Sequence, residues 1–195
     1  MTGLDMDKSN GYEACAETFI RARNARIGPD EVREWAREFA AGAEVLELAC
    51  GHGVISQVLV DQGLQLYAID ASSRLLAAFH QRFPEVQAEC VAAEDSNYFG
   101  RTFDGVIAWG LMFLLPEETQ RMVLAKVAKA LKPGGRFLFT APYATVTWED
   151  GLTGLESRSL GVEVYESLLR ELEFDIEPGR TDAGENYYYF AKKRD

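Results

Sequence analysis

Two short stretches hold the residues that could do chemistry. One is Glu47-Leu-Ala-Cys-Gly-His-Gly53; the other ends at Asp70. Gly51 and Gly53 lack side chains, so a turn there can take positive φ and a ligand can approach the backbone closely. Glu44 to Ala49 reads as a short buried strand before the turn, and Val54 to Val60 as a helix opening after it. Strand, glycine turn and helix make the first half of a βαβ unit, and ligands of open parallel sheets sit at the carboxyl ends of the strands. Gln65 to Asp70 reads as the second strand. A carboxylate at its end can accept hydrogen bonds from both hydroxyls of a ribose. It can also cap a helix beginning near Ser72 or Ser73. With the glycine turn upstream, the ribose reading is favoured, and the ligand is read as a nucleoside-containing cofactor.

Two cofactors compete for this arrangement. A nicotinamide dinucleotide wants a third glycine, because its pyrophosphate rests on the helix N-terminus and the helix must pack tightly on the strand. Ser56 stands at that position. Glu47, just before the turn, suits a cationic ligand better than a pyrophosphate. S-adenosylmethionine carries a sulfonium and an ammonium and no phosphate.

Glu47-Leu-Ala-Cys-Gly-His-Gly53 with Asp70 resembles the first two motifs of the class I S-adenosylmethionine-dependent methyltransferases. Three further segments agree in order. Val91-Ala-Ala-Glu-Asp95 resembles the adenine-contacting segment, Phe103 to Gly110 the fourth strand and its end, and Leu131 to Thr140 the turn into the fifth strand. The resemblance spans about residues 10 to 195. The family's first turn usually has three alternating glycines, and this chain has Ala49 at the first. The resemblance implies a doubly wound, Rossmann-like α/β fold. Its sheet has seven mostly parallel strands with an antiparallel last strand, and helices cover both faces. It also implies a cofactor site of Glu47, Ala49, Cys50, Gly51, Gly53, Asp70, Ala71, Ala93, Glu94 and Trp109. Glu94, rather than Asp95, is the expected acceptor for the adenine amino group.

Composition bounds the function. A chain of 195 residues suggests one domain with a full-sized core. Residues 1–10 read as a flexible start and 11–195 as a single domain. That domain divides into a helical cap (11–41), a cofactor-binding core (42–141) and a substrate loop with the last strands (142–195). No apolar run approaches the roughly 20 residues that span a bilayer, and the N-terminus lacks a signal-peptide pattern. Cys15, Cys50 and Cys90 are an odd number without metal-ligand spacing, which points to a reduced cytoplasm. Cys50 reads as a packed bystander. The formal net charge of -11, without a basic cluster, disfavours a nucleic-acid partner. No membrane partner and no metal site are expected. A small molecule, neutral or cationic, fits better, bound by a monomer or weak homodimer.

The remaining elements must position these residues. A helix is predicted from Gly11 to Ala25. A second starts at Pro29 and buries Val32, Trp35, Ala36 and Phe39. In the resembling family such a segment often covers cofactor and substrate, which makes Tyr12 a lid candidate. Arg21 and Arg23 could meet the cofactor carboxylate, but read better as solvated surface arginines. A helix is expected from Ser72 to Phe83, with His80 exposed, and a strand from Glu85 to Val91. His52 is given a backbone role ahead of an acid–base one. After strand four, Trp109 and Phe113 form an apolar or cation-binding wall. A helix from Pro116 to Leu131 leads to strand five, Arg136 to Pro142. Residues 143–159 show no periodicity and read as a functional loop over the site. A helix over 162–173, a strand over 174–177 and a last strand over 186–192 complete the chain, the last inserting antiparallel between strands five and six by resemblance.

The function implied is methyl transfer from S-adenosylmethionine to a small-molecule acceptor, by in-line displacement in an aromatic pocket. Tyr12, Trp109, Tyr143 and Glu149 are the catalytic candidates; Phe113, Trp148 and Asp150 could help hold a small amine, phenol or thiol. Two alternatives stand beside it: an S-adenosylmethionine-binding protein without catalysis, and a nicotinamide-dependent oxidoreductase.

Overall fold

A computed structural model describes residues 7–23 and 25–195. Its centre is a seven-stranded sheet. The strands are β1 (Glu44–Leu48), β2 (Gln65–Asp70), β3 (Gln87–Cys90), β4 (Phe103–Ala108), β5 (Leu131–Thr140), β8 (Phe174–Thr181) and β9 (Tyr187–Lys193). They lie in the order β3-β2-β1-β4-β5-β9-β8. All are parallel except β9, which runs antiparallel between β5 and β8, as the resemblance implies. The order reverses direction at β1 and β4, and a crevice opens beyond their carboxyl ends.

Alternation of side chains along each strand divides the core in two. Leu46, Leu48, Ile69, Val106, Phe137 and Phe139 face α5 (Glu117–Ala130) and α6 (Val162–Glu171). Val45, Ala68, Ile107, Leu138 and Tyr188 face α2 (Pro29–Ala36), α3 (Val54–Asp61) and α4 (Ser73–Arg82). Helices therefore cover both faces. Among the described residues, no helix is long and apolar enough to cross a membrane.

The glycine turn has two distinct jobs. Gly53 opens α3 at φ +88°, and a Cβ there would stand 2.3 Å from the Phe83 ring. The turn can pack against the end of α4 only without a side chain. Ala49 takes φ +57° without being glycine. That left-handed conformation costs an L-residue about 1–2 kcal/mol.

The roof over the crevice is α1 (Tyr12–Ala22), shorter at its end than expected. Its Glu13 carboxylate accepts hydrogen bonds from Ser72 Oγ (2.6 Å), Ser73 Oγ (2.8 Å) and the Arg74 amide (3.1 Å). Ser72 is itself the N-cap of α4, its hydroxyl accepting from the Leu75 amide. Before α1, residues 8–11 form a turn with Ser9 buried, where the sequence reads as a flexible start; residues 1–6 lie outside the described residues.

Four expected boundaries are corrected. Residues 143–159 are not an open loop: β6 (Val146–Glu149) and β7 (Glu156–Ser159) pair as an antiparallel hairpin. Asp150 builds its turn, Oδ1 accepting from the Leu152 and Thr153 amides at 3.0 and 2.8 Å. β5 begins at Leu131 and passes through Pro133-Gly134-Gly135, because those residues form an irregularity in the pairing with β4 rather than a break. β8 likewise runs through Pro178-Gly179 to Thr181, with a register shift against β9. β3 is the short edge strand Gln87–Cys90.

Gly53→Ala is expected to lower stability by about 3 kcal/mol, from left-handed strain plus overpacking against Phe83. Gly63→Ala, with φ +72° but open space around its Cβ, should cost only the strain. Thermal unfolding of the two variants checks this; equal losses would remove the packing argument.

Candidate functional site

The crevice beyond β1 and β4 deepens into a cavity with about 980 Å³ of atom-free space, part of it open to solvent. Each wall comes from a different strand end. Glu47, Ala49, Cys50, Gly51 and His52 come from β1 and its turn, and Asp70 and Ala71 from the end of β2. Ala93 and Glu94 follow β3, and Trp109, Phe113 and Leu114 follow β4. Tyr12, Phe19 and Arg23 reach in from α1.

Two carboxylates form the floor. Asp70 is 6% exposed, and both its oxygens are engaged: Oδ2 accepts from the Gly51 amide (2.7 Å) and Oδ1 from the Ser72 amide (2.8 Å). Burial raises its pKa, and these amides oppose the rise. Asp70 does not cap α4, since Ser72 does. Glu47 is 2% exposed, and its Oε2 accepts from Ser56 Oγ at 2.6 Å. Ser56, at the place where a dinucleotide turn carries its third glycine, thus holds a carboxyl group. Burial pushes the Glu47 carboxyl up to about 8, the Ser56 hydroxyl opposes this, and Asp70 adds to it.

The segment after β3 is shaped from α5. Lys126 Nζ donates to the carbonyls of Ala93 (3.0 Å), Glu94 (2.7 Å) and Ser96 (2.6 Å) and lies over the Tyr98 ring. Lys8 pairs with Glu94 (3.5 Å) and Asp95 across the same segment. At the other end, the Trp109 indole N–H donates to Tyr188 Oη (2.9 Å), whose hydroxyl donates to Asp182 Oδ2 (2.8 Å). The roof is aromatic. Tyr12 stands edge-on to Phe19 and Phe19 edge-on to His52, while Tyr12 Oη donates to Asp150 Oδ2 at 3.3 Å.

Residues 45–135 match a family model described as a methyltransferase domain. A ubiquinone biosynthesis O-methyltransferase of Xanthomonas oryzae pv. oryzae is 31% identical over 131 residues, 62% of this chain and 52% of that protein. A cypemycin N-terminal methyltransferase of a Streptomyces species is 34% identical over 97 residues, 48% of this chain and 40% of that protein. The chain spans about half the length of the curated relatives it matches. The solved CcbJ methyltransferase of Streptomyces caelestis has a TM-score of 0.76 at 15% identity, over 97% of this chain and 100% of that one. The 1,6-didemethyltoxoflavin-N1-methyltransferase of Burkholderia thailandensis has a TM-score of 0.74 at 19% identity, over 94% of this chain and 84% of that one. At such identities the solved structures speak for the fold. The fold is that of the solved class I methyltransferases, and residues 45–135 are similar to a methyltransferase domain.

Within this fold, the structure gathers nine of the ten expected cofactor residues around one cavity. The tenth, Gly53, stands outside the lining because it faces the α4 end. Of the catalytic candidates, Tyr12 and Trp109 line the cavity. Tyr143 and Glu149 are exposed and do not: the Tyr143 ring packs edge-on against Tyr187, and Glu149 is held in the hairpin opposite Glu156. Trp148, on the same hairpin, packs against Phe113 at 5.6 Å between ring centroids. His52 contributes a carbonyl that accepts from Arg82 Nη1 (2.6 Å) as well as a lining side chain, and His80 is exposed. Cys50 is buried, and that burial holds its thiol above its ordinary pKa. Arg23, read as a surface residue, is half-buried in the wall. Lys126 and the Tyr188–Asp182 pair carry no sequence signal, because their partners lie on distant strands and loops.

Glu47 ties stability to pH. Its folded-state pKa of about 8 lies above the ordinary 4.5. Its contribution is therefore complete below about pH 4.5, declines above it, and is lost once pH passes about 8, at up to about 1.4 kcal/mol per pH unit. Glu47→Gln should flatten this part of the curve while keeping an acceptor for Ser56. Denaturant unfolding of both proteins from pH 5 to 9 checks it; parallel curves would mean that Glu47 is ionised throughout.

Proposed function

We propose that this chain binds S-adenosylmethionine in the cavity and transfers its methyl group to a small-molecule acceptor. The observation that carries the reading is the pair of buried carboxylates, Glu47 and Asp70, under a wall whose glycine leaves room for a ligand. A Cβ at Gly51 would border the cavity, 3.5 Å from Phe19 Cε1. The donor set fits a cationic nucleoside: three lining carboxylates, Glu47, Asp70 and Glu94, at the ends of β1 to β3. A pyrophosphate beside Glu47 would meet a carboxyl group instead of a glycine turn's free amides, which counts against a dinucleotide.

Asp70 would accept from the ribose hydroxyls, and the segment around Ala93 and Glu94 would take the adenine, with Lys126 fixing its shape. Glu47, which burial holds protonated, would ionise against a cation near the turn. The cofactor supplies a methyl group on a sulfonium, a leaving group that needs no further activation. The task left to the protein is alignment and exclusion of water. Tyr12, Phe19, Trp109, Phe113 and Leu114 supply apolar walls for this, and the α1 roof closes them from above. Two similar proteins support this acceptor class: a ubiquinone biosynthesis O-methyltransferase in sequence and, in fold, a 1,6-didemethyltoxoflavin-N1-methyltransferase, both named for small molecules. The acidic charge supports an acceptor other than nucleic acid. We place the protein in the cytoplasm as a monomer or weak homodimer.

Calorimetric titration with S-adenosylmethionine and S-adenosylhomocysteine should give micromolar binding, with NADH inert. The reverse preference would turn the reading towards an oxidoreductase. Methyl uptake by one of a panel of metabolites separates an enzyme from a protein that only binds. Asp70→Asn should weaken binding of both sulfur nucleosides by about 1–3 kcal/mol, through loss of a charged acceptor. Unchanged affinity in the folded variant would remove Asp70 from the site. Trp109→Ala should lower turnover or raise the acceptor KM more than it changes cofactor affinity; a change in melting temperature alone would make it a packing residue.

A further inference from the structure

Trp109 borders the cavity at the end of β4, and its indole is held on several sides. The main chain bends directly after it: Gly110 takes φ +76°, and its amide donates to Thr140 Oγ1 at 2.8 Å. The Arg23 guanidinium carbon lies 4.2 Å from the ring centroid and covers one face, so that face is not a cation-binding wall. A Cβ on Gly28, the N-cap of α2, would stand 3.0 Å from Nε1, so a side chain there would crowd the indole edge. The directional contact is a hydrogen bond, Nε1 donating to Tyr188 Oη at 2.9 Å.

That bond is the inner end of a chain of donors that reaches the loop between β8 and β9. Tyr188 is fully buried, on β9 where it pairs with β5 and β8. Burial raises its pKa, so it stays a neutral phenol with one proton. The proton goes to Asp182 Oδ2 at 2.8 Å, which leaves the phenol oxygen to accept from the indole. Asp182 is itself held in place. Its Oδ1 accepts from the Gly184 amide (2.8 Å), the Asn186 amide (3.0 Å) and Asn186 Nδ2 (3.1 Å). Burial pushes its carboxyl up, but hydrogen bonds from Tyr188, Asn186 and Gly184 outweigh this and hold it below its ordinary pKa. An ionised carboxylate has no proton to give, so the donors run one way, from indole to phenol to carboxylate.

We infer that Tyr188 and Asp182 are positioning residues for methyl transfer, which hold the Trp109 wall at the β4 end of the cavity in one orientation. The inference rests on the methyl-donor reading above, with the sulfonium methyl group towards that wall. Alignment of donor and acceptor tolerates little displacement, so a wall held by a directional bond serves it better than one held by packing alone. Asp182→Asn separates direction from shape. The amide oxygen stays with the Gly184 and Asn186 amides, and the NH2 group faces Tyr188. Tyr188 then meets a donor on each side, and its own proton lacks an acceptor in a buried place. Tyr188→Phe removes the bond to the indole outright.

Two readouts on the whole chain test this. The first is magnetic resonance of the indole N–H groups of Trp35, Trp109 and Trp148, with Trp109→Phe assigning the signal. The Trp109 N–H should resist exchange with solvent in the parent and lose that protection in Tyr188→Phe and Asp182→Asn. The second is the ratio of affinities for S-adenosylmethionine and S-adenosylhomocysteine, which reports the surroundings of the methyl group that only the former carries. Each variant should change this ratio by about 3–10-fold, the range of one ordinary hydrogen bond. In a Trp109→Phe background neither substitution should change it further, because no indole N–H is left to hold. In variants that melt like the parent, unchanged exchange at Trp109 or an unchanged ratio refutes the inference. So does a change in ratio that persists in full without the indole. Should Tyr188→Phe fail to fold, Asp182→Asn, on the loop, decides by the same criteria. Failure of the parent to bind either sulfur nucleoside would instead refute the methyl-donor reading, and the exchange of the Trp109 N–H would then decide whether Tyr188 and Asp182 hold the indole.

Discussion

The two hydrogen bonds accepted by Asp70 are the constraint on which the site depends. One oxygen holds the Gly51 amide and the other the Ser72 amide. A single buried carboxylate thus joins the turn after β1 to the start of α4, two segments that the sheet alone would leave independent. Each amide would otherwise lack a partner in a place with little water, so the carboxylate satisfies them while they stabilise its charge. Ser72 passes the connection on to Glu13 and thence to α1. Floor and roof are therefore one connected polar structure.

The glycine turn shows how local strain is distributed along it. Three successive odd positions, Ala49, Gly51 and Gly53, take positive φ. Only at Gly53 does a neighbouring ring forbid a side chain. Ala49 keeps its methyl group in a left-handed conformation, between the last paired residue of β1, Leu48, and Cys50, whose amide donates to the Ile69 carbonyl at 3.0 Å. The departure from the resembling family's glycine pattern is thus accommodated by strain rather than by a different path of the chain.

Much of this was legible from residues. β1, the glycine turn and Asp70 carry enough short-range pattern to announce a parallel sheet and its ligand end, and the tyrosine-rich last strand was recognisable by β-propensity. The hairpin of β6 and β7 was not. Its strands present Ser157 and Ser159 inward, so hydrophobic alternation is missing, and Gly151 and Gly154 look like loop residues. The Pro-Gly pairs in β5 and β8 read as terminators because a sequence does not reveal that the neighbouring strand absorbs the irregularity. Arg23 is half-buried where the sequence reads as surface, for the opposite reason. Polar residues near a helix end usually face water, and nothing in the chain nearby signals that Trp109, 86 positions later, lies beneath it.

The seat of Glu13 gives the roof an unusual dependence. Its carboxylate engages the first turn of α4, whose own cap, Ser72, is one of its partners. Were α1 to lift, two serine hydroxyls and the Arg74 amide would have to find water in place of Glu13, while the Ser72 cap on Leu75 would remain. Any such movement would involve both helices and would break contacts near the surface that dissolved salt can loosen.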